Sequence, residues 1–288
     1  MNKIAIYSRC FNEYFGEREG LKAIKNCGFN FVDLDLSPYI YNENGVLLKD
    51  EKSFTEYFFD LKNFIDGLGL NVLIVTAPKF NHKSAFEKQT DFICSRVFES
   101  AEILGAEYVI FKPIKFGDPE NDFEEIYREN VEFLGKFYQK TKNKKLKVAI
   151  VNDCEYNEIK KSGAPSTFSS AGKLIKIINE FGDSVCACLD TGTAFYAGED
   201  LSKTVELLGG KLKVLRLNDN NLKSDKKLPV TCGHIGWNDL LTALKNIGFS
   251  GVIDFNADLF VSGKKAFLPL AELMLKVGES YIETINKE

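Results

Sequence analysis

Two strand-like runs in the second half of the chain end in residues that can carry charge or donate hydrogen bonds. One run is Val185 to Asp190, the other is Leu212 to Asp219, and a helical segment separates them. This order predicts a βαβ unit with parallel strands. Ligands of parallel sheets bind beyond the carboxyl ends of the strands. The candidates for an active face are therefore Asp190, Arg216, Asn218 and Asp219.

Eight strand-like runs alternate with helical patterns along the whole chain. The strands are predicted at Lys3 to Arg9, Phe31 to Leu36, Asn71 to Ala77, Tyr108 to Pro113, Lys147 to Asn152, Val185 to Asp190, Leu212 to Asp219 and Gly251 to Asn256. Eight such units in 288 residues predict one α/β domain over residues 1–288, a (β/α)8 TIM barrel. A doubly wound open sheet is the alternative, and the lack of a GxGxxG or Walker sequence disfavours it.

Composition and charge disfavour several classes of protein. The net charge of −4 provides no broad basic field, so tight binding to nucleic acid is not expected. The sequence contains no run of 18 apolar residues, so no segment is expected to cross a membrane. The first residues read directly as a strand, and seven scattered cysteines favour a reduced, cytoplasmic protein. Self-association as a homo-oligomer stays open.

Strand parity predicts which side chains share the barrel interior, because side chains alternate between the two faces of a strand. If Asp190 points inward, Cys186 and Cys188 do as well, and both should pack inside the barrel rather than bind zinc. The same parity places Arg216 with Asn218. The predicted mouth consists of Lys112, Asn152, Asp190, Arg216, Asn218 and Asn256.

Around these positions the chain resembles the xylose-isomerase-like sugar isomerases and epimerases, whose superfamily also holds enzymes of the endonuclease IV type. The segments Asp190-Thr191-Gly192 and Ala197-Gly198-Glu199-Asp200 look like the DTGH…AGED stretch of that family. The segment Leu217-Asn218-Asp219-Asn220, followed by Asp225, Leu228-Pro229, Gly233 and Trp237, looks like its HIHDN…D-x-H-LP…G…W stretch. The resemblance implies the TIM-barrel fold and chemistry on sugars.

The resemblance also implies one divalent ion, usually Mn, Mg, Co or Zn, held by side chains at the ends of the last four barrel strands. In this chain we assign those four positions to Val151, Asp190, Arg216 and Asn256. Thr193 and Lys227 stand where relatives carry histidine, and the only histidines, His82 and His234, are predicted in loops. Because valine has no donor and arginine is a permanent cation, we expect neither a metal nor another cofactor.

The implied activity is that of an isomerase, an epimerase or a related lyase acting on a small keto sugar or polyol. We take Asp190, Arg216 and Lys112 as catalytic candidates. In this hypothesis the fixed cations replace the metal and stabilise a carbonyl, an enediolate, a carboxylate or a phosphate of the ligand. An inactive barrel that binds a sugar-like or anionic metabolite is the alternative, and a partner-binding scaffold is a third hypothesis. Arg216 is expected to contact Asp190, and a structural ion-pair network of these two residues, with Asp254 as a further candidate, is the alternative to a catalytic role. The candidates for substrate contact are Asn152, Asn218, Asp219, Asp225, Lys227, Asn256 and Trp237.

Overall fold

In the computed structural model, eight parallel strands close into a barrel with helices around it. The structure describes residues 2–41, 45–80, 87–141, 145–157, 162–224 and 226–287. The barrel strands are β1 Lys3–Tyr7, β2 Phe31–Asp35, β3 Asn71–Thr76, β4 Tyr108–Phe111, β5 Lys147–Val151, β8 Val185–Asp190, β9 Leu212–Leu217 and β10 Val252–Phe255. Strands β6 Cys154–Asn157 and β7 Ser162–Pro165 form an antiparallel hairpin outside the barrel. The predicted barrel is confirmed, and the open sheet is excluded.

Within the described residues, eleven α-helices accompany the strands. They are α1 Arg9–Phe15, α2 Glu17–Asn26, α3 Pro38–Tyr41, α4 Glu51–Gly67, α5 Glu87–Leu104, α6 Phe123–Thr141, α7 Ala171–Asn179, α8 Thr191–Tyr196, α9 Leu201–Leu208, α10 Trp237–Asn246 and α11 Phe267–Asn286. The longer helices turn an apolar stripe towards the strands, as in α4, where Phe54, Phe58, Leu61 and Ile65 are buried. No helix among the described residues is long and apolar enough to cross a membrane.

Small and branched side chains fill the lower barrel interior. Ala5, Ile110, Ala149, Cys186 and Cys188 belong to this buried cluster. The two cysteines therefore pack inside the barrel, as strand parity predicted. Inward positions nearer the carboxyl ends of the strands are polar instead, and they include Asp33, Arg216 and Asp254. The barrel interior therefore changes from apolar to polar along its axis, towards the carboxyl ends of the strands.

The sequence patterns did not predict several short elements at the mouth. These are α1, α3, α8 and the β6–β7 hairpin. Helix α8 begins directly after β8, and the Asp190 carboxylate caps it by accepting a hydrogen bond of 3.1 Å from the amide of Thr193. The same aspartate therefore ends a barrel strand and fixes the first turn of the next helix.

Candidate functional site

Arg216 lies inside the barrel, below the mouth, between two carboxylates. Its Nε donates to Asp254 over 2.9 Å, and one terminal nitrogen donates to Asp33 and, over 2.7 Å, to the hydroxyl of Thr76. Thr76 is also 2.8 Å from both carboxylate oxygens of Asp33. Arg216 is 2% exposed, and both aspartates are fully buried. The four side chains form a closed network in which the planar guanidinium contacts two acids.

The expected contact between Arg216 and Asp190 is wrong. Their strands are paired at this position, but the arginine side chain extends across the barrel to Asp33 on β2. Two buried carboxylates stabilise a buried guanidinium better than one does, and Asp190 already has another cation. Burial and the neighbouring Asp254 raise the pKa of Asp33, whereas Arg216 opposes this shift.

Asp190 has several partners at the mouth. Its Oδ2 is 2.5 Å from the Nζ of Lys227, and its Oδ1 accepts a hydrogen bond of 2.8 Å from the amide of Asn218. Asn256 is 3.5 Å from the same Oδ2, so both residues lie at the same end of the barrel, as predicted. Asn152 holds the Asp190 backbone in both directions, at 2.6 and 3.1 Å. Burial would raise the pKa of Asp190, but Lys227, Asn218 and Arg216 outweigh it and lower this pKa to about 2.

The loop after β9 brings Lys227 to the mouth. The backbones of Asp219 and Leu228 pair at 2.7 and 3.0 Å, which turns the loop back over the barrel. The carbonyl of Lys227 accepts a hydrogen bond of 2.6 Å from the amide of Asp258. The lysine side chain, 28% exposed, therefore approaches Asp190 from a backbone that is held on both sides.

Asp219 and Trp237, two of the candidates for substrate contact, contact each other. The indole Nε1 of Trp237 donates to Asp219 over 3.0 Å, and the amides of Asn220 and Ile235 donate to the same carboxylate at 2.8 and 3.1 Å. Asp219 is fully buried. In the structure, these two residues therefore help to hold the loop that carries Lys227. Asp225 and His82 lie outside the described residues, and His234 is exposed.

Lys112 follows β4 and lies on the inward face shared by Tyr108 and Ile110. Its side chain is exposed to the solvent of the mouth. Within the part of the chain that the structure describes, its ammonium makes no hydrogen bond or ion pair. The surrounding protein still removes part of its hydration, and this burial together with Lys227 lowers the pKa of Lys112, while Asp153 and Asp190 act against the shift.

Asp153 is a mouth residue that the sequence patterns did not single out. Val151 pairs with Cys188, so the next inward position along this strand, Asp153, lies beside Asp190. Lys115 is 2.9 Å from Asp153 and 3.1 Å from Glu155. Burial lowers the pKa of Lys115, but the two carboxylates outweigh it and raise this pKa overall.

The strand register places two further carboxylates on the inward face near the assigned metal positions. Asp254 pairs with Arg216 across β10 and β9, and Asp153 follows Val151 by two residues at the end of β5. Each of the three acids contacts its own cation: Asp153 contacts Lys115, Asp190 contacts Lys227, and Asp254 contacts Arg216.

A cavity of about 760 Å³ lies over the ends of β1, β2 and β3. Its lining includes the charged side chains of Arg9, Glu17, Asp35 and Lys79. The hydroxyl of Tyr57 donates to Glu17 over 2.7 Å, which fixes this carboxylate at the cavity wall. A polar cavity of this size can hold a ligand as large as a hexose.

Comparison with known proteins places this geometry in a family. The sequence profile of the xylose isomerase-like TIM barrels matches residues 21–259. The chain belongs to this family. No curated protein sequence matches it.

Solved structures share the fold of this xylose isomerase-like barrel over nearly its whole length. A D-tagatose 3-epimerase-like protein is 18% identical with a TM-score of 0.75, and the match covers 99% of this chain and 98% of that one. A D-psicose 3-epimerase crystallised in the presence of D-fructose is 12% identical with a TM-score of 0.74, covering 97% and 99%. The IolI protein with a bound zinc atom is 18% identical with a TM-score of 0.72, covering 98% and 97%. At these identities the matches establish the fold alone.

In this xylose isomerase-like barrel, basic side chains contact the acids that could hold the divalent ion that the family implies. A divalent cation needs several free oxygen or imidazole donors. Here the carboxylates of Asp153, Asp190 and Asp254 all contact basic side chains, and Lys227 lies against the Asp190 oxygen. Among the described residues, no group of three or more histidine, cysteine, aspartate or glutamate side chains is arranged to hold an ion.

Proposed function

We propose that this mouth binds a small keto sugar or polyol and catalyses isomerisation or epimerisation by moving a proton next to the carbonyl, without a resident divalent metal. The observation that carries the proposal is the Lys227 ammonium 2.5 Å from Asp190, with Lys112 nearby and without a partner among the described residues. Family membership and the epimerase neighbours support sugars as the ligand class.

Removal of a proton beside a carbonyl leaves negative charge on the oxygen, and this charge must be stabilised. A preorganised donor at such an oxygen typically contributes about 10² to 10³ in rate. We assign this role to Lys227 and Lys112, whose cations stand where a metal would otherwise act. Asp190 has a pKa of about 2 and is therefore a weak base. Its proposed role is to position Lys227.

Arg216 has a structural role in this proposal, which is one of the two roles suggested by the sequence. It is buried below the mouth, and its contacts with Asp33, Asp254 and Thr76 are all internal, so we regard it as a structural residue. The amide of Asn152 is occupied by the Asp190 backbone. We therefore propose that Asn256 and Lys227 line the ligand side, and that Asn218, whose amide donates to Asp190, holds that carboxylate in place.

A second candidate function is binding without turnover. It is favoured by the ion pairs of the mouth, in which Asp153, Asp190 and Asp254 each already contact a basic side chain. In this case the barrel would hold a sugar-like or anionic metabolite between Lys112 and Lys227.

Measurements of sugar binding and of proton exchange distinguish catalysis from binding without turnover. Protein treated with a chelator would be titrated with D-fructose and D-tagatose by calorimetry. Exchange of the sugar protons beside the carbonyl would then be followed by NMR in deuterated water. We expect both binding and exchange, and a loss of exchange of about 10² or more in Lys227→Met. The control Lys203→Met, on the exposed face of α9, should behave as wild type.

Each other outcome has a definite meaning. Binding without exchange would favour the second candidate function. Exchange that requires added manganese would contradict the metal-free reaction. Absence of binding to either sugar would contradict the proposed ligand class.

A further inference from the structure

The amine of Lys112 differs from the other mouth lysines in having no partner. Lys115 contacts Asp153 and Glu155, and Lys227 contacts Asp190. Lys112 makes no such contact with any described residue and is open to the solvent of the mouth. A lysine whose nitrogen is not committed to an ion pair can react once it loses its proton.

The backbone around Lys112 is held firmly. Pro113 follows it, and Ile114 is bound in both directions by the side chain of Asn130, at 2.8 and 2.9 Å. Asn130 is 1% exposed and is anchored in α6 by a third hydrogen bond of 2.8 Å to Ile126. Such a support fixes the base of the lysine side chain on a rigid strand end, which favours a defined approach to a bound ligand.

Four charged groups face Lys112 from the neighbouring elements. Lys227 comes from the loop after β9, Arg216 from β9, Asp190 from β8 and Asp153 from the end of β5. A neighbouring cation and partial burial favour the neutral amine, and the two acids favour the ammonium. Burial and Lys227 prevail, so the pKa of Lys112 is lowered. An adjacent cation that lowers an amine pKa is a known way of activating a lysine nucleophile.

We propose that Lys112 forms a Schiff base with the carbonyl carbon of the sugar bound in the mouth. This inference rests on the proposed function, because it needs a carbonyl ligand. It assigns the stabilisation of the reaction intermediate to a covalent iminium rather than to a metal or to electrostatic contacts alone.

The chemistry balances without another reagent. The lone pair of the neutral amine forms the C–N bond, and the carbonyl oxygen takes up a proton to give a carbinolamine. Protonation of this hydroxyl and departure of water break the C–O bond and leave an iminium. The iminium accepts the electron pair of the adjacent C–H bond as its proton passes to water, which gives an enamine. Reprotonation and hydrolysis return a ketose and free Lys112.

The test is reductive trapping. Full-length protein would be incubated with D-fructose, D-tagatose or dihydroxyacetone and sodium cyanoborohydride. Intact mass and peptide mapping would then locate any adduct with the mass of the sugar less one water plus two hydrogens, which is the gain in mass on forming a reduced Schiff base. We expect one adduct per chain, on Lys112. Lys112→Met and Lys112→Arg should lose it, and Lys203→Met should keep it.

The pH dependence gives a second readout that a merely accessible lysine would not reproduce. Because the pKa of Lys112 is lowered, labelling should rise with pH and level off while labelling of exposed lysines is still rising. Lys227→Met removes the neighbouring cation, which should move this rise to higher pH and reduce labelling near neutral pH.

Reductive trapping of Lys112 and calorimetry of sugar binding test different claims, so one can fail without the other. Adducts spread over surface lysines, or no adduct on Lys112, would overturn the Schiff-base inference whatever the sugar affinity. If calorimetry shows sugar binding at the same time, the proposed function stands without the covalent step. Circular dichroism and melting temperature would confirm that both Lys112 variants are folded.

Discussion

Arg216 contacts two fully buried aspartates, so its removal tests the interior network directly. In Arg216→Leu, Asp33 and Asp254 remain buried without their cation, and we expect a loss of about 3–5 kcal/mol in the free energy of unfolding. Part of this loss should be recovered at acidic pH, because a protonated carboxyl needs no counter-charge. Urea denaturation at several pH values would measure both effects.

The matched control is an arginine in an exposed ion pair. Arg9 contacts Glu13 at 2.9 Å, and both side chains are more than half exposed. Arg9→Leu should therefore change the free energy of unfolding by less than about 1 kcal/mol. Equal losses of unfolding free energy in the two variants would mean that the buried network stabilises the fold no more than an exposed ion pair does.

The pKa of Asp190 predicts how the free energy of unfolding depends on pH. Its pKa in the folded protein is about 2, whereas an unfolded aspartate titrates near a pKa of about 3.9. A lowered pKa stabilises the fold above the unfolded value, and this contribution, about 2 kcal/mol, disappears as the pH falls from about 4 to 2. In Asp190→Asn the contribution is absent at every pH. The difference in unfolding free energy between the two proteins should therefore shrink in that range, and a constant difference would contradict the assignment.

At the scale of elements, the first turn of α8 and the end of β9 are packed too closely for a side chain at Gly192. A Cβ there would overlap the side-chain oxygen of Asn218, whose amide donates to Asp190. We expect Gly192→Ala to destabilise the protein by about 1–3 kcal/mol and to weaken sugar binding. Chemical denaturation and calorimetry would measure the two effects.

Gly172 in α7 provides the control, since no atom lies within 4 Å of a Cβ built on it. Gly172→Ala should stabilise the helix by up to about 1 kcal/mol and leave sugar binding unchanged. If both alanine variants behave alike, close packing of α8 on β9 does not determine the geometry of Asp190.

The long elements could be predicted from sequence because their periodicity is strong. The strand Val185–Asp190 has its predicted bounds, and β2 ends one residue before its predicted end at Leu36. Short elements such as α3 and α8 carry less than two turns of periodic sequence, and their stability comes from tertiary contacts and caps. Local patterns therefore predicted the frame of the barrel better than its mouth.

At the scale of the whole molecule, closure of the barrel determines contacts that local sequence patterns could not predict. Parity correctly placed Asp190, Asn218 and Asn256 at one end. It could not tell that Arg216 would reach Asp33, because the two residues are 183 positions apart and meet only across the closed barrel. The alternation of Asp33 and Asp35 with apolar residues on β2 was the available signal, since it marks acids on the inward face.

The central claim is that basic side chains neutralise the acids of the mouth in place of a metal. The most direct measurement is a crystal structure of chelator-treated protein soaked in manganese, with data collected for anomalous scattering. We expect Lys227 in contact with Asp190, Arg216 in contact with Asp254, and no manganese peak in the mouth. A manganese peak coordinated by Asp190, with Lys227 displaced, would contradict the claim.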